Sequence, residues 1–174
     1  DMNFSPLTKP LIFDSHAHYD DERLIGCGDE LFTELSKSVV GIITCSCDFA
    51  SCEAAKTLAE NHGFVYFAAG IHPENVGSVE GLSKDCINTK ITEFSKHKKC
   101  VAIGEIGLDY HYDFVSKDKQ LEFFEKQLQF AVKSDLPVIV HDREAHEDTL
   151  KLLQKYRPKG VLHCFSGSVE MAKE

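Results

Sequence analysis

A pair of histidines at the end of the first apolar run constrains this chain more than any other feature of its sequence. The apolar residues 11–13 lead directly into Asp-Ser-His-Ala-His at 14–18. Alternate residues of a β-strand point to one side, so His16 and His18 would project together from its carboxyl end. Two imidazoles directed at one point are suited to binding a metal ion. For a lone His-x-His pair the alternative stays open that one histidine is a core residue and the other a surface residue.

Later apolar runs also end in side chains that can bind a metal. Glu105 follows the run at 101–103, His141 follows 137–140, and His163 follows 161–162. Parallel strands bring the residues at their carboxyl ends to one edge of the sheet. These residues therefore favour a single metal site, to which several strands contribute.

The pattern of apolar residues predicts a parallel α/β fold. Six β-branched or apolar segments alternate with segments of helical periodicity, with short connections between them. The expected strands cover about 11–16, 39–45, 64–69, 100–104, 138–141 and 160–163. The longest expected helix runs from about Lys117 to Ser134, Gly63 is expected to cap an earlier helix, and Ser168 to begin the last one.

Two parallel architectures fit this alternation. A doubly wound open sheet is one alternative, but the Gly-x-Gly-x-x-Gly turn that often follows its first strand is absent. Potential ligands at the ends of strands one, three, four, five and six instead favour a TIM (β/α)₈-type barrel. The chain shows about six β/α units. We therefore expect residues 1–174 to form a single, incomplete barrel domain of a longer protein, whose missing part supplies strands seven and eight.

Length, charge and cysteine content limit the functional classes. The 174 residues suffice for one core, and the net charge of −9 argues against a basic surface for nucleic acid or anionic membrane. Seven scattered cysteines indicate reduced thiols, and no apolar run approaches the ~20 residues of a membrane span. We expect a soluble cytoplasmic protein, with a nuclear location also compatible. Pro6 and Pro10 predict an extended lead-in over residues 3–10.

Five ordered motifs resemble those of the TatD family of metal-dependent deoxyribonucleases, within the amidohydrolase-like barrels. The motifs are Asp-Ser-His-Ala-His-Tyr-Asp at 14–20, Gly-Ile-His-Pro at 70–73, Gly-Glu-Ile-Gly-Leu-Asp-Tyr at 104–110, His-Asp-Arg-Glu-Ala at 141–145 and His-Cys-Phe-Ser-Gly at 163–167. The resemblance extends from the first strand to the end of the sequence. It implies a TIM barrel and a divalent-metal-dependent nuclease, with exonuclease action as a further implication.

The resemblance also implies a set of metal ligands. His16 and His18 would bind one divalent ion, Glu105 would bridge two, and His141 and His163 would bind the other. An aspartate from the last barrel strand would complete the first site, and we expect it in the missing part. Two such ions can activate water and neutralise a phosphodiester, and the bridging Glu105 is the expected catalytic residue. Imidazole and carboxylate ligands suit Zn²⁺ or Mn²⁺ better than Mg²⁺, although the resemblance allows all three.

Residues near these ligands are expected to bind substrate. Arg143 lies two positions after His141, on the same side of a strand that continues that far, where it could clamp a phosphate; the alternative is a surface arginine. His72 could touch the substrate phosphate, and Asp109 could orient a metal ligand. Tyr110 and His111 either stack on an unpaired base or pack beneath a loop.

The leading hypothesis is thus a metal-dependent deoxyribonuclease acting on DNA ends or single strands, since an acidic surface is poorly suited to gripping a long duplex. No membrane partner is expected, and no protein partner can be identified from the sequence. A second hypothesis is a related hydrolase of amides, lactones or phosphotriesters. Many of these bridge their ions with a carboxylated lysine, but residues 101–109 contain none. A third is a truncated, non-catalytic form of the same scaffold.

Overall fold

Six parallel strands form one sheet in the computed structural model, which describes residues 11–174. The lead-in expected for residues 3–10 lies outside the described part. The strands follow one another across the sheet in chain order. They are β1 (Ile12–Ala17), β2 (Val39–Cys45), β3 (Val65–Ala69), β4 (Cys100–Asp109), β5 (Val138–Arg143) and β6 (Gly160–Leu162).

The six expected strands are confirmed, with two informative extensions. β4 continues beyond Gly104 as far as Asp109, and β5 continues to Arg143. The two extensions pair with each other, with Asp109 opposite Arg143. The predicted ligands Glu105 and His141 therefore lie within strands, where backbone hydrogen bonds hold them, rather than in the loops that follow.

Helices connect the strands, as the periodicity predicts. They are α1 (Glu22–Ile25), α2 (Gly28–Leu35), α3 (Phe49–Asn61), α4 (Lys84–Ser95), α5 (Lys117–Lys133), α6 (His146–Tyr156) and α7 (Val169–Lys173), with a 3-10 helix at Pro73–Val79. Ser168 caps α7 by accepting from the N–H of Met171, as expected. The expected cap at Gly63 is wrong, because α3 ends earlier and the extended residue His62 closes it by donating its N–H to Leu58. The short α1 and the 3-10 helix were not predicted.

The two faces of the sheet carry different side chains, because successive residues of a strand alternate. On one face, large residues such as Phe67 and Ile103 pack against the helices in two apolar clusters. On the other, smaller residues such as Cys45, Ala68 and Ala102 pack with Ile139. Among the described residues no helix is long and apolar enough to cross a membrane.

The sheet curls strongly, as a barrel-type sheet does. The outer strands β1 and β6 of a flat six-stranded sheet would lie roughly 24 Å apart, at ~4.8 Å per strand. Yet the rings of His16 at the end of β1 and His163 after β6 stack with centroids 3.4 Å apart and planes 7° apart. The carboxyl ends of the outer strands therefore converge on one point.

Candidate metal centre

Glu105 lies where the strand ends converge. Its side chain is only 4% exposed and projects from β4 among three histidines. One carboxylate oxygen, Oε2, lies 3.1 Å from Nε2 of His16 and 3.4 Å from Nε2 of His18. The other, Oε1, lies 3.1 Å from Nδ1 of His141. The two oxygens thus face two different groups of ring nitrogens.

The hydrogen bonds around Glu105 decide its charge. Burial alone would raise the pKa of this carboxyl, but hydrogen bonds from His141, His16 and His18 outweigh burial and hold the pKa well below its ordinary range. A carboxylate that stays ionised while buried is a suitable metal ligand.

The first group of potential ligands consists of His16, His18 and Glu105. Nδ1 of His18 lies 2.9 Å from the carbonyl oxygen of Cys45. A carbonyl can only accept, so Nδ1 carries a proton and Nε2 is the nitrogen that faces Glu105. Metal-binding histidines in proteins usually donate their second nitrogen to a carbonyl or carboxylate in this way.

The second group contains His141 and Glu105, held by the pairing of β4 with β5. Gly107 lies opposite His141, and a Cβ atom at Gly107 would lie 1.9 Å from the carbonyl oxygen of His141. Only glycine permits this approach. Nε2 of His141 lies 2.9 Å from Oδ2 of Asp109, so Asp109 and Glu105 contact opposite sides of one imidazole. Burial opposes the positive charge of His141, but hydrogen bonds to Glu105 and Asp109 prevail and raise its pKa.

His163 lies beside the first group, next to His16. It stacks on His16, and burial, followed by repulsion from His16, lowers its pKa. A neutral imidazole is the form that binds metal. Four of the five expected ligands, His16, His18, Glu105 and His141, thus lie around the Glu105 carboxylate, and His163 approaches them through its contact with His16.

His72 lies beside the second group, where its ring meets that of His141 edge to face with centroids 4.4 Å apart. It is close enough to Glu105 and His141 to form a triad of ligand atoms with them. However, its Nδ1 accepts from the N–H of Glu74 at 3.3 Å. In the neutral ring Nε2 then carries the proton and is not free for a metal. Burial, followed by repulsion from His141, lowers the pKa of His72 to about 4.

Other expected substrate residues lie at the rim. Arg143 is exposed at the end of β5, with its Cζ 4.9 Å from the ring centre of Tyr112. Tyr110 packs against the apolar cluster and donates its hydroxyl to Asp148 at 2.9 Å. His111 is exposed and pairs with Glu144 at 2.8 Å. Tyr110 is thus packed against the core, while stacking on a base stays an alternative for His111.

Sequence reasoning missed the residues that support the ligands. Cys45 and Cys47, at the end of β2, lie behind the histidines, with Cys45 Sγ 3.5 Å from Nδ1 of His16 and Cys47 Sγ 3.9 Å from Nδ1 of His18. In the sequence, strands one, three, four, five and six each end in a potential ligand. Because all the strands are parallel, the two thiols at the end of strand two could have been predicted to lie at the same edge of the sheet. Hydrogen bonds that His18 donates to Cys47 and then to Glu105 raise its pKa from 6.5 to about 10.

Comparison with known proteins adds independent observations. A family model described as TatD related DNase matches residues 13–174. An uncharacterized metal-dependent hydrolase, YabD of Bacillus subtilis, is 36% identical over 168 residues, which are 94% of this chain and 64% of that protein. A 3′-5′ ssDNA/RNA exonuclease TatD of a Pantoea species is 36% identical over 136 residues, 76% of this chain and 51% of that protein.

A solved structure shares the fold. The chain superimposes on YJJV, a TatD homolog from Escherichia coli, with a TM-score of 0.82 and 30% identity, covering 93% of this chain and 63% of that one. A TatD family hydrolase from Entamoeba histolytica, 24% identical, shows the same fold with a TM-score of 0.77. The matches thus span between about half and just under two thirds of the length of these relatives.

Proposed function

Because the chain belongs to the TatD-related DNase family, we propose that it carries the active centre of a divalent-metal-dependent nuclease that removes nucleotides from single-stranded nucleic acid. In this proposal Glu105 bridges two ions, His16 and His18 hold one, and His141 and His163 hold the other. When bound, such a pair of ions lowers the pKa of a water molecule and neutralises charge on the phosphodiester.

One observation carries the proposal most directly. The two oxygens of Glu105 face different ring nitrogens, Oε2 towards His16 and His18 and Oε1 towards His141. A carboxylate that held a single ion would not need nitrogen donors on both sides. The donor set of imidazoles and one buried carboxylate suits Zn²⁺ or Mn²⁺ and accommodates Mg²⁺ less well.

The residues of the rim would handle the phosphate. His72 is neutral near pH 7, because its pKa is about 4, and its protonated Nε2 can donate to a phosphate oxygen. We therefore assign His72 to the substrate and His163 to the metal. Arg143 makes no side-chain hydrogen bond within residues 11–174, so its donors remain available to a second phosphate oxygen. Asp109 orients His141.

Metal analysis and end-labelled substrates test the proposal on the full-length protein. We expect bound divalent metal, and release of nucleotides from one end of single-stranded DNA and RNA. Glu105→Gln should lower the rate by at least ~10³-fold, because the bridging charge is lost. Glu93→Gln, an exposed change on α4, is the matched control and should be neutral.

Three results would count against the nuclease. Near-normal turnover by Glu105→Gln would exclude a bridging role. Bound metal with hydrolysis of amides, lactones or phosphotriesters, but not of nucleic acid, would favour the related-hydrolase alternative. A protein that neither binds metal nor hydrolyses any of these substrates would be the non-catalytic form.

A further inference from the structure

Two exposed aromatic rings follow β4 at the rim of the metal centre. Phe114 is 71% exposed and Tyr112 is 39% exposed, and their rings stack with centroids 5.2 Å apart and planes 10° apart. The guanidinium of Arg143 lies over the Tyr112 ring, 4.9 Å from its centre. Together Tyr112, Phe114 and Arg143 form what we call the rim stack.

Hydrogen bonds fix the rim stack relative to the metal centre. Oδ1 of Asp109 accepts from the backbone N–H of His111 at 2.9 Å and of Tyr112 at 3.4 Å. Oδ2 of the same carboxylate lies 2.9 Å from Nε2 of His141. One side chain therefore holds both a proposed metal ligand and the start of the aromatic segment. Arg143 is fixed as well, because it lies opposite Asp109 in the sheet and its carbonyl accepts from the N–H of Tyr110 at 2.9 Å.

Exposing the rings of Tyr112 and Phe114 to water is unfavourable, so their exposure calls for an explanation. Burying either ring would be favourable, and the nearby Tyr110 is packed against the apolar cluster in this way. A rigid aromatic surface with a flanking arginine is instead what proteins use to stack unpaired nucleobases. Phe114 offers the more open ring face, and Arg143 adds a positive charge where a phosphate would lie.

Charge supports a nucleobase as the occupant. The net charge of −9 provides little non-specific attraction for a polyanion, so affinity must come from local contacts. Stacking is such a contact, because every base has a π-face and no charge has to be overcome. A base in a duplex is already stacked on both sides, whereas an unpaired base is free to transfer to the protein.

We propose that the rim stack binds a nucleobase next to the phosphate held at the metal centre, and thereby selects single-stranded substrates. This inference rests on the proposed nuclease function and adds the part of the substrate that is recognised. Phe114 would contact the base, Tyr112 would support the Phe114 ring from behind, and Arg143 would contact the adjoining phosphate.

The test is binding of a nuclease-resistant, phosphorothioate-linked single-stranded oligonucleotide to the full-length protein, measured by fluorescence anisotropy. A second oligonucleotide of the same length carries abasic residues at the recognised end. Phe114→Ala and Tyr112→Ala should each weaken binding of the first by about 5- to 150-fold and leave binding of the abasic one unchanged. Phe114→Tyr should retain binding, because it keeps the aromatic face.

Val132→Ala is the matched control, since Val132 is an apolar residue that is 46% exposed on the outside of α5. Equal loss of affinity for both oligonucleotides would overturn the proposal, as would unchanged affinity in both aromatic variants or no binding by the unsubstituted protein. Hydrolysis of single strands with unaffected variants would reject the rim stack and keep the nuclease. Base-dependent binding without hydrolysis would reject the nuclease and keep the rim stack.

Discussion

At the scale of single residues, the position of one proton on His141 decides whether it can bind a metal. Its Nδ1 faces Glu105 and its Nε2 faces Asp109 at 2.9 Å. Both carboxylates can only accept, so both favour a proton on the nitrogen they face. An ion bound beside Glu105 would replace the proton on Nδ1, while Asp109 would keep the proton on Nε2. With an ion on Nδ1, the hydrogen bond to Asp109 would therefore hold the tautomer that the proposed ligand needs.

Asp109→Asn tests that selection. If the amide nitrogen of the asparagine faces His141, it would donate to Nε2 and move the proton to Nδ1. We expect the affinity for one of the two ions to fall by about 10- to 100-fold. Asp113→Asn, at an exposed position of the same loop, should have no effect. Isothermal titration with Mn²⁺ measures both, and equal isotherms for Asp109→Asn and the unsubstituted protein would rule out the orienting role.

The pKa of His18 predicts how metal binding depends on pH. Hydrogen bonds with Cys47 and Glu105 raise that pKa from 6.5 to about 10, so the ion-free ring is protonated at pH 7. An ion must displace this proton, and affinity should therefore rise up to tenfold per pH unit towards pH 10. Titration at pH 7 in two buffers of different ionisation enthalpy should show net proton release. Zero release would contradict the shifted pKa.

The same shift affects the ion-free fold in the opposite sense. A group whose pKa is raised on folding stabilises the folded state fully below its unfolded value, here 6.5. That contribution is lost as pH rises towards about 10. Raising the pH should therefore destabilise the ion-free protein while it strengthens metal binding, and thermal unfolding with and without a chelator would separate the two trends.

At the scale of elements, α5 holds two strand ends through a pair of buried glutamines. Gln127 accepts from the N–H of Ile71 at 2.8 Å and donates to its carbonyl at 3.1 Å, and Gln120 makes the same pair of contacts, each at 2.8 Å, with Asp109. These glutamines are spaced seven residues apart, about two helical turns, and so lie on one face. Ile71 precedes His72, so α5 positions residues on both sides of the second ligand group.

Gln127→Leu should be costly although it conserves size. It leaves the N–H and the carbonyl of Ile71 buried without partners, so the free energy of unfolding should fall by about 2–4 kcal/mol. Gln129→Leu, at an exposed position of the same helix, should change it by less than about 0.5 kcal/mol. Chemical denaturation measures both. A loss below about 1 kcal/mol for Gln127→Leu would show that water replaces the amide.

These glutamines also show where sequence reasoning stops. Hydrophobic periodicity correctly predicts α5 and all six strands, because apolar burial fixes their spacing. Periodicity alone would place Gln120 and Gln127 among the solvent-exposed residues of the helix. Nothing in the neighbouring sequence shows that their amides bond to backbone groups of distant segments. The histidines proposed as ligands could be singled out because each follows an apolar run. The surroundings of Cys45 and Phe114 could not be predicted, because they depend on the curl of the sheet and on the path of a loop.

At the scale of the whole molecule, the outer strands present apolar residues to solvent. Ile12, Phe13 and Val161 are each more than half exposed, and among the described residues β1 pairs only with β2 and β6 only with β5. Open edges with apolar side chains promote association between chains. We expect a polypeptide limited to residues 1–174 to associate as its concentration rises.

Sedimentation velocity on that polypeptide measures the association. Phe13→Lys and Val161→Lys place a charge on each edge and should shift it towards monomer, whereas Val132→Lys on the outside of α5 should not. A monomer at every concentration would show that the edges are protected.

The contact between His16 and His163 has a consequence for local opening of the protein. The proposed ions take ligands from β1, from the interior strands and from the end of β6, so fraying of either outer strand removes a ligand. In the ion-free protein the stacked rings of His16 and His163 are the contact that joins the two edges here, so each edge can open at the small cost of losing that contact. With ions bound, either opening must also release metal. Hydrogen exchange of the backbone amides of β1 and β6 should therefore show two separate opening events without metal. With metal bound, both strands should exchange through one shared and rarer event, because the ions connect the two edges of the sheet.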